Sequence, residues 1–343
     1  MKKVQKKISL KIIIILGILA FFLLFFLSLF CATKALPFID GINAFFRRNP
    51  SSEGFNSAKT ILLKLRLPRA AATVICGSAL SVSGLMLQNA LNNTLASPGI
   101  IGVNTGAGFF VLLFSIFFPF AFWARSLGAL GGAILAVLAV YLISIKAGVS
   151  KTTLILAGVA VSSLITAGID ILITLHPEIV SDKVSFNLGG FANLNLTALK
   201  IAFPVILAGI TAAFLISDGV DLFALGDESA FGLGLNVKAY RLLCILISGL
   251  LAGAAVSVCG LLGFLGLIVP NLIRLCSCNS TKKNLLLCIL FGSDFLLFCD
   301  LLSRVIFFPY ELPVGLFLSI LGAPFFIFLL INKKKKLGVQ EAA

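Results

Sequence analysis

The chain has 343 residues, of which 59% are hydrophobic and only 12% charged. A soluble domain carries about 25% charged residues, and a soluble fold of this length cannot hide so much apolar side chain, so a bilayer must be the solvent for most of it. The net charge of +14 is concentrated at Lys2, Lys3, Lys6 and Lys7 and at Lys333 to Lys336, which marks it as a topology signal and a contact with lipid headgroups and excludes nucleic acid as the expected partner.

The first apolar stretch, Leu10 to Cys31, is interrupted only by Lys11. It is longer than the roughly 7–15 residues of a signal-peptide core. No small residue stands just before Cys31, as a lipoprotein leader requires, so the stretch is expected to be a retained first span. Runs suited to crossing as helices, nominally about 17–25 residues long, follow in order. The ten runs are 12–31, 69–90, 99–121, 127–145, 152–175, 201–217, 240–260, 264–277, 285–303 and 314–331. The eighth is short and joins the seventh through the glycine-rich turn "CGLLGFLG".

Ten crossings place both termini on one side, and the lysine-rich ends choose the cytoplasm. Lys146, Lys151, Lys238, Arg241, Arg274, Lys282 and Lys283 fall on that side too. The exceptions cluster: Lys34, Arg47, Arg48, Lys59, Lys64, Arg66 and Arg69 lie in one outer loop and its exit, and Arg304 lies at the outer end of the ninth span. A topology rule broken in one place points to another use for the charge.

The second span contains "GSALSVSGL", Gly77 to Leu85, and the seventh contains "GAAVSVCGL", Gly253 to Leu261, with six of nine positions identical. The two segments run in opposite directions, as in an inverted-topology repeat that relates spans 2–5 to spans 7–10. Gly77, Ser81 and Gly84 share a helix face by spacing, as do Gly253, Ser257 and Gly260. Such faces serve close helix packing and path lining alike, and both readings stand.

Between the sixth and seventh spans lies a loop, residues 218–238, that contains "ALGDESAFGLGLNV". Asp227 and Glu228 suit the first turn of a brief helix, where the dipole favours negative charge. Gly232 and Gly234 suit its end, and Phe231 and Leu233 offer apolar contact. The loop reads equally as a docking element and as a plain polar cap on two spans.

The chemistry-bearing patterns are few. The eight cysteines, Cys31, Cys76, Cys244, Cys259, Cys276, Cys278, Cys288 and Cys299, lie mostly inside apolar runs, where a thiol behaves as a small hydrophobe. Cys276 and Cys278 have no second pair nearby, and no metal site is expected. There is no phosphate loop and no H-E-x-x-H, and the one histidine, His176, falls in an outer loop. An intramembrane enzyme therefore lacks a nucleophile set. Intramembrane carboxylates are costly and often functional. Asp300 can pair with Arg304 four residues on, whereas Asp170 and Asp294 have no partner in sequence and keep open an ion-coupled carrier.

Four blocks carry a resemblance: "LRLPRAAATVICGSALSVSGLMLQNALNNTLASPGIIGVNTGAG" from Leu65, "ALGDESAFGLGLNVKAYRLL" from Ala224, "GLLGFLGLIVPNLIRL" from Gly260 and "ELPVGLFLSILGAPFFIFLL" from Glu311. In that order and spacing the chain resembles the FecCD/BtuC-type permeases, the membrane subunits of ABC importers for iron-siderophores, haem and cobalamin. Asn271 departs from it where histidine is common, and "NNTLASPG" replaces "NPLADPG". The resemblance implies an all-α integral membrane fold, one permease domain over 1–343 with about ten transmembrane helices, in the cytoplasmic membrane of a bacterium. It implies a second permease copy, identical or homologous, around a central path, and no cofactor bound by this chain. A separate ATPase dimer would spend the ATP and dock at Leu225, Gly226, Asp227, Glu228, Ser229, Ala230, Gly232 and Gly234. An extracytoplasmic binding protein, a lipoprotein, would meet Arg66, Arg69 and Arg304. Path or gate candidates are Gly77, Ser81, Gly84, Gly253, Ser257 and Gly260, with Asn92, Asn93, Pro98 and Gly99 of the "NNTLASPG" turn. Iron-siderophore is the expected cargo, with haem or cobalamin behind it.

Overall fold

A backbone in hydrocarbon finds no water, so each apolar run closes its hydrogen bonds within itself as a helix. The structure, a computed structural model, describes residues 10–30, 59–148, 150–223, 226–275 and 280–341. Among them are twelve α-helices and no strand. They are α1 (Leu10–Phe30), α2 (Leu67–Leu91), α3 (Val103–Phe117), α4 (Phe122–Ala147), α5 (Lys151–Leu175), α6 (Val180–Leu188), α7 (Leu196–Leu222), α8 (Asp227–Gly232), α9 (Val237–Cys259), α10 (Leu265–Leu275), α11 (Thr281–Val305) and α12 (Val314–Glu341). Seven of them, α1, α2, α4, α5, α7, α9 and α11, are long and apolar enough to cross a membrane, and α3, α10 and α12 contain shorter apolar stretches. Each of these ten coincides with a predicted run. The two short helices α6 and α8 lie in predicted loops.

The boundaries differ where polar side chains extend or stop a helix. The sixth run is predicted at 201–217, yet α7 covers Leu196–Leu222. Asn195 caps it by accepting from the Thr197 N–H at 2.9 Å. At its other end Asp218 takes Lys282 at 2.7 Å and Asp221 takes the Thr281 N–H at 2.7 Å. Both carboxylates thus lie on α7 and tie it to the start of α11, so the predicted 218–238 loop opens later than its charges imply. The third run starts late: Pro98–Ile101 forms a 3-10 turn, and Gly102, at φ +80°, precedes α3. The short eighth run becomes α10 because Gly260 (φ +68°) and Phe264 (φ +64°) break the chain between it and α9.

The core lies along α2 and α9. Most of α2 is buried, and it clasps α9 through two serines: the Ser83 hydroxyl donates to the Ser248 carbonyl at 2.6 Å, and the Ser248 hydroxyl to the Ser83 carbonyl at 2.9 Å. α2 also packs on α10 and α11, while α9 packs on α3 and α4. Each half therefore lends its leading helix to the other, as the inverted repeat requires. The small residues make this possible. A methyl on Gly77 would press on the Gly292 carbonyl of α11, one on Gly84 would overlap Gly266 of α10, and one on Gly253 would meet Ala133 of α4. α1 lies against α11, with Gly17 under Leu290 and Phe291.

Candidate functional site

The bend between α7 and α9 is built on three glycines and one ion pair. Gly226 opens α8 at φ +96°. Asp227 and Glu228 occupy its first turn, where the helix dipole favours them. Gly234, at φ +85°, closes it. The Leu235 N–H reaches the Ala230 carbonyl at 3.1 Å and the Gly234 N–H reaches Phe231 at 2.9 Å, the paired bonds of a glycine-terminated helix. Gly232, expected as part of the stop, is the last helical residue. Ala230 and Leu235 are buried and seat the bend, whereas Phe231 and Leu233 are 75% and 63% exposed. Glu228 and Ser229 are exposed. Leu225 lies outside the described residues.

Asp227 does more than suit a dipole. Both its oxygens accept from Arg241 Nη2 at 2.8 Å, and Arg241 Nε donates to the Ala90 carbonyl at 3.0 Å. Sequence reasoning counted Arg241 only as an inside charge. The signal that finds it is its position one turn into an apolar span, where a charge must be partnered. The same end of α2 receives two further donors: Arg274 reaches Asn89 Oδ1 at 2.9 Å and Asn271 reaches the Thr94 carbonyl at 2.8 Å. Asn271, the departure from the family pattern, thus anchors the α2–α3 turn. In that turn Asn92 caps α2 at φ +46°, and the Asn93 side chain accepts the Leu95 N–H at 3.1 Å.

At the opposite end the three predicted docking arginines come together. Arg69 bonds Asp300 at 3.0 Å and Glu311 at 2.8 Å. Arg304 bonds Asp300 at 2.8 Å, the pair expected from spacing, and also the hydroxyl and carbonyl of Ser28 at 2.7 and 3.1 Å. Arg66 donates to the Leu29 and Phe30 carbonyls at 2.8 and 3.1 Å. Arg66 and Arg304 are buried, so both hold the end of α1 inside the bundle. Arg69 and Glu311 sit at the mouth, where they border a cavity of about 350 Å³. Arg125 and Asp182, paired at 2.9 Å, line its other side. Ser257 and Gly260 open onto the same cavity. Gly77, Ser81, Gly84 and Gly253 do not: their faces are taken up by helix contact, with the Ser81 hydroxyl donating to the Cys288 carbonyl at 2.6 Å. Between α5 and α6, His176 lies 3.0 Å from Glu178. The Glu178 backbone N–H first, and then the imidazole, hold that carboxyl below the usual carboxylate range.

A feature missed in sequence lies on α5. Ser163, Thr166, Ala167, Asp170 and Thr174 follow one another at helical spacing, all exposed. Residues 163, 166, 167 and 170 border a cavity of about 550 Å³ with Gly99 and Ile100. Asp170 meets Lys183 at 3.5 Å. The mixture of apolar and polar positions on α5 hid this row; reading the helix face by face exposes it. Asp294 is buried in α11, and neither of its oxygens is hydrogen-bonded among the described residues. The two carboxylates proposed for ion coupling thus sit in unlike settings, one exposed on α5 beside a lysine and one enclosed in α11.

Known proteins resemble this chain along most of its length. The FecCD transport family model matches residues 19–332. The Fe(3+)-citrate import system permease YfmD of Bacillus subtilis is 34% identical over 294 residues, covering 86% of each chain. The hemin transport system permease HmuU of Yersinia pestis is 32% identical over 283 residues, covering 80% of this chain and 84% of HmuU. A solved metal-chelate type ABC transporter in an inward-facing conformation superposes with a TM-score of 0.82 at 26% identity, covering 94% of this chain and 99% of that one. With an all-helical membrane fold, exchanged leading helices and a match over most of its length, the chain belongs to the FecCD transport family.

Proposed function

We propose that this multi-pass permease of an ABC importer carries a ferric chelate or haem inward, driven by a separate ATPase dimer that docks on α8. The carrying observation is the exposed pair Phe231 and Leu233 on a bend that Ala230, Leu235 and Asp227 hold in place. An apolar pair presented on a fixed support is what a protein partner covers. The ten apolar helices, taken as ten crossings, put this bend on the lysine-rich cytoplasmic side. The chain contains no phosphate loop of its own, so the nucleotide belongs to the partner.

At the outer end the binding protein, a lipoprotein in this reading, meets the rim that carries Arg69 and Glu311; Arg66 and Arg304 support that rim from below. The row on α5 faces a second permease copy across the path, because hydroxyls and a carboxylate facing hydrocarbon would be costly. The cargo class is carried over from the relatives, whose names give ferric citrate, hydroxamate and hemin. Asp170, already paired and exposed, gives an ion-coupled carrier little support, and family membership favours the ATP-driven reading.

The test uses the assembled transporter in liposomes with radiolabelled ferric citrate, ferric hydroxamate and haemin. Uptake of at least one, dependent on ATP and on the binding protein, is expected. Phe231→Glu should abolish co-purification of the ATPase while the permease keeps its helical circular dichroism. Normal assembly of that variant, or uptake that persists without the ATPase, overturns the proposal.

A further inference from the structure

We infer that Arg241 is the positioning residue that carries displacement of α8 into α2 and α9; this rests on α8 being the ATPase seat. Arg241 lies in the second turn of α9 and is 4% exposed. A guanidinium at that depth requires its partners, and they come from two other elements. Asp227 of α8 takes Nη2 with both oxygens at 2.8 Å, and the Ala90 carbonyl of α2 takes Nε at 3.0 Å. One side chain therefore joins the bend to both exchanged helices.

The link is stiff for physical reasons. The rest of the α8 seat is small: Ala230 and Leu235 are buried, but a methyl added at Gly226, Gly232 or Gly234 would meet nothing. Apolar contacts of that size permit sliding, whereas a guanidinium fixed at Nε by the Ala90 carbonyl and at Nη2 by the Asp227 carboxylate holds direction as well as distance. If α8 moves, Arg241 either follows or is left as a buried charge without its carboxylate, and following is the less costly course. Ala90 is in the last turn of α2, where a carbonyl has no intrahelical donor. The pull on Nε therefore acts at the end of α2, which Arg274 also holds through Asn89. Because α2 packs against α10 and α11 of one half and α9 against α3 and α4 of the other, both halves are drawn by one residue.

The test compares Asp227→Asn, Arg241→Gln and Arg241→Lys in the assembled transporter in liposomes. The cargo is ferric citrate, ferric hydroxamate or haemin, whichever the parent takes up. Asp227→Asn leaves Arg241 on Ala90 and removes only the carboxylate charge, so it remains informative if Arg241→Gln folds poorly. Expected, measured per assembled complex, is an unchanged KM for ATP and cargo moved per ATP lowered about tenfold, an ordinary size for coupling between sites. Arg241→Lys, which keeps the charge but loses the fork, should fall between parent and Arg241→Gln. A merely structural role would lower yield and ATPase assembly together and leave cargo per ATP unchanged. Parental cargo per ATP in Asp227→Asn overturns the inference. Failure of the docking reading shows up separately, as normal ATPase assembly in Phe231→Glu.

Discussion

Asp300 is fully buried and serves two arginines at once, Arg69 and Arg304. Two guanidinium groups so close tolerate each other only through the carboxylate between them. Asp300→Asn keeps the shape and removes that charge. Arg69 retains Glu311, but Arg304 keeps only the Ser28 oxygens and the Asp300 carbonyl. Removing one member of a buried charge group costs about 3–5 kcal/mol, so the thermal unfolding midpoint in detergent should drop clearly. Adding Arg304→Met to Asp300→Asn should recover part of the loss, because the stranded charge leaves with it. A double variant no more stable than the single would show that Arg304 is not the residue left exposed to the penalty. The i, i+4 spacing of Asp300 and Arg304 made one limb of this cluster legible in sequence. Arg69 and Glu311 joined it from distant positions, and no local pattern announces a contact between chain segments so far apart.

At the scale of helices, the glycines are the strongest sequence signal. The recurrence of "GSALSVSGL" and "GAAVSVCGL" located α2 and α9 correctly, and the structure gives the glycines a contact role. Gly84 lies on Gly266, backbone against backbone, with no flexible side chain between to yield. Gly84→Val must separate α2 from α10. Overpacking of this kind costs about 1–3 kcal/mol or more, and the larger figure is expected because the obstacle is a carbonyl. Folded yield and the thermal midpoint should both fall, while Gly232→Val, in open space, should leave both unchanged. A stable Gly84→Val would show that α2 and α10 part readily. Gly260 behaves differently from its repeat partner Gly84: it terminates α9 instead of continuing it. A repeat of letters therefore fixed the helices and their mutual packing, but not where each ended. Likewise α6, nine residues with Asp182 and Lys183 among them, is too short and too polar to stand out beforehand beside the apolar runs, and it is held by Arg125 from another helix.

The whole molecule presents two kinds of exposed surface at membrane depth, and the difference tells which part faces lipid. On α5, Leu164 and Ile171 are exposed, and so are Ser163, Thr166 and Asp170 on another face. Beyond Lys11, α1 exposes only apolar positions such as Phe22 and Leu19. Lipid is a suitable neighbour for α1 and for the Leu164 face. The polar row is costly against hydrocarbon even so: Thr166 and Thr174 bond back to their own helix and Asp170 meets Lys183, but an exposed carboxylate still wants water. In the proposed assembly, water in a path between two permease copies would satisfy it. Cysteine placed at Ser163 or Thr166 should therefore react with a small water-soluble maleimide in intact membranes, and cysteine at Leu164 should not. Reaction at Ser163 should change when the ATPase is trapped with vanadate, because alternating access opens the path to one side at a time. The native thiols described, Cys76, Cys244, Cys259, Cys288 and Cys299, are buried, and the unsubstituted chain supplies the background for labelling. Equal labelling at Ser163 and Leu164, or none at either, would place both faces in the same environment and remove α5 from the path. Composition alone assigned the molecule to a bilayer. Which side of α5 is wet depends on its rotation about its own axis, which the packing of α3, α4 and the Pro98–Ile101 turn against it fixes.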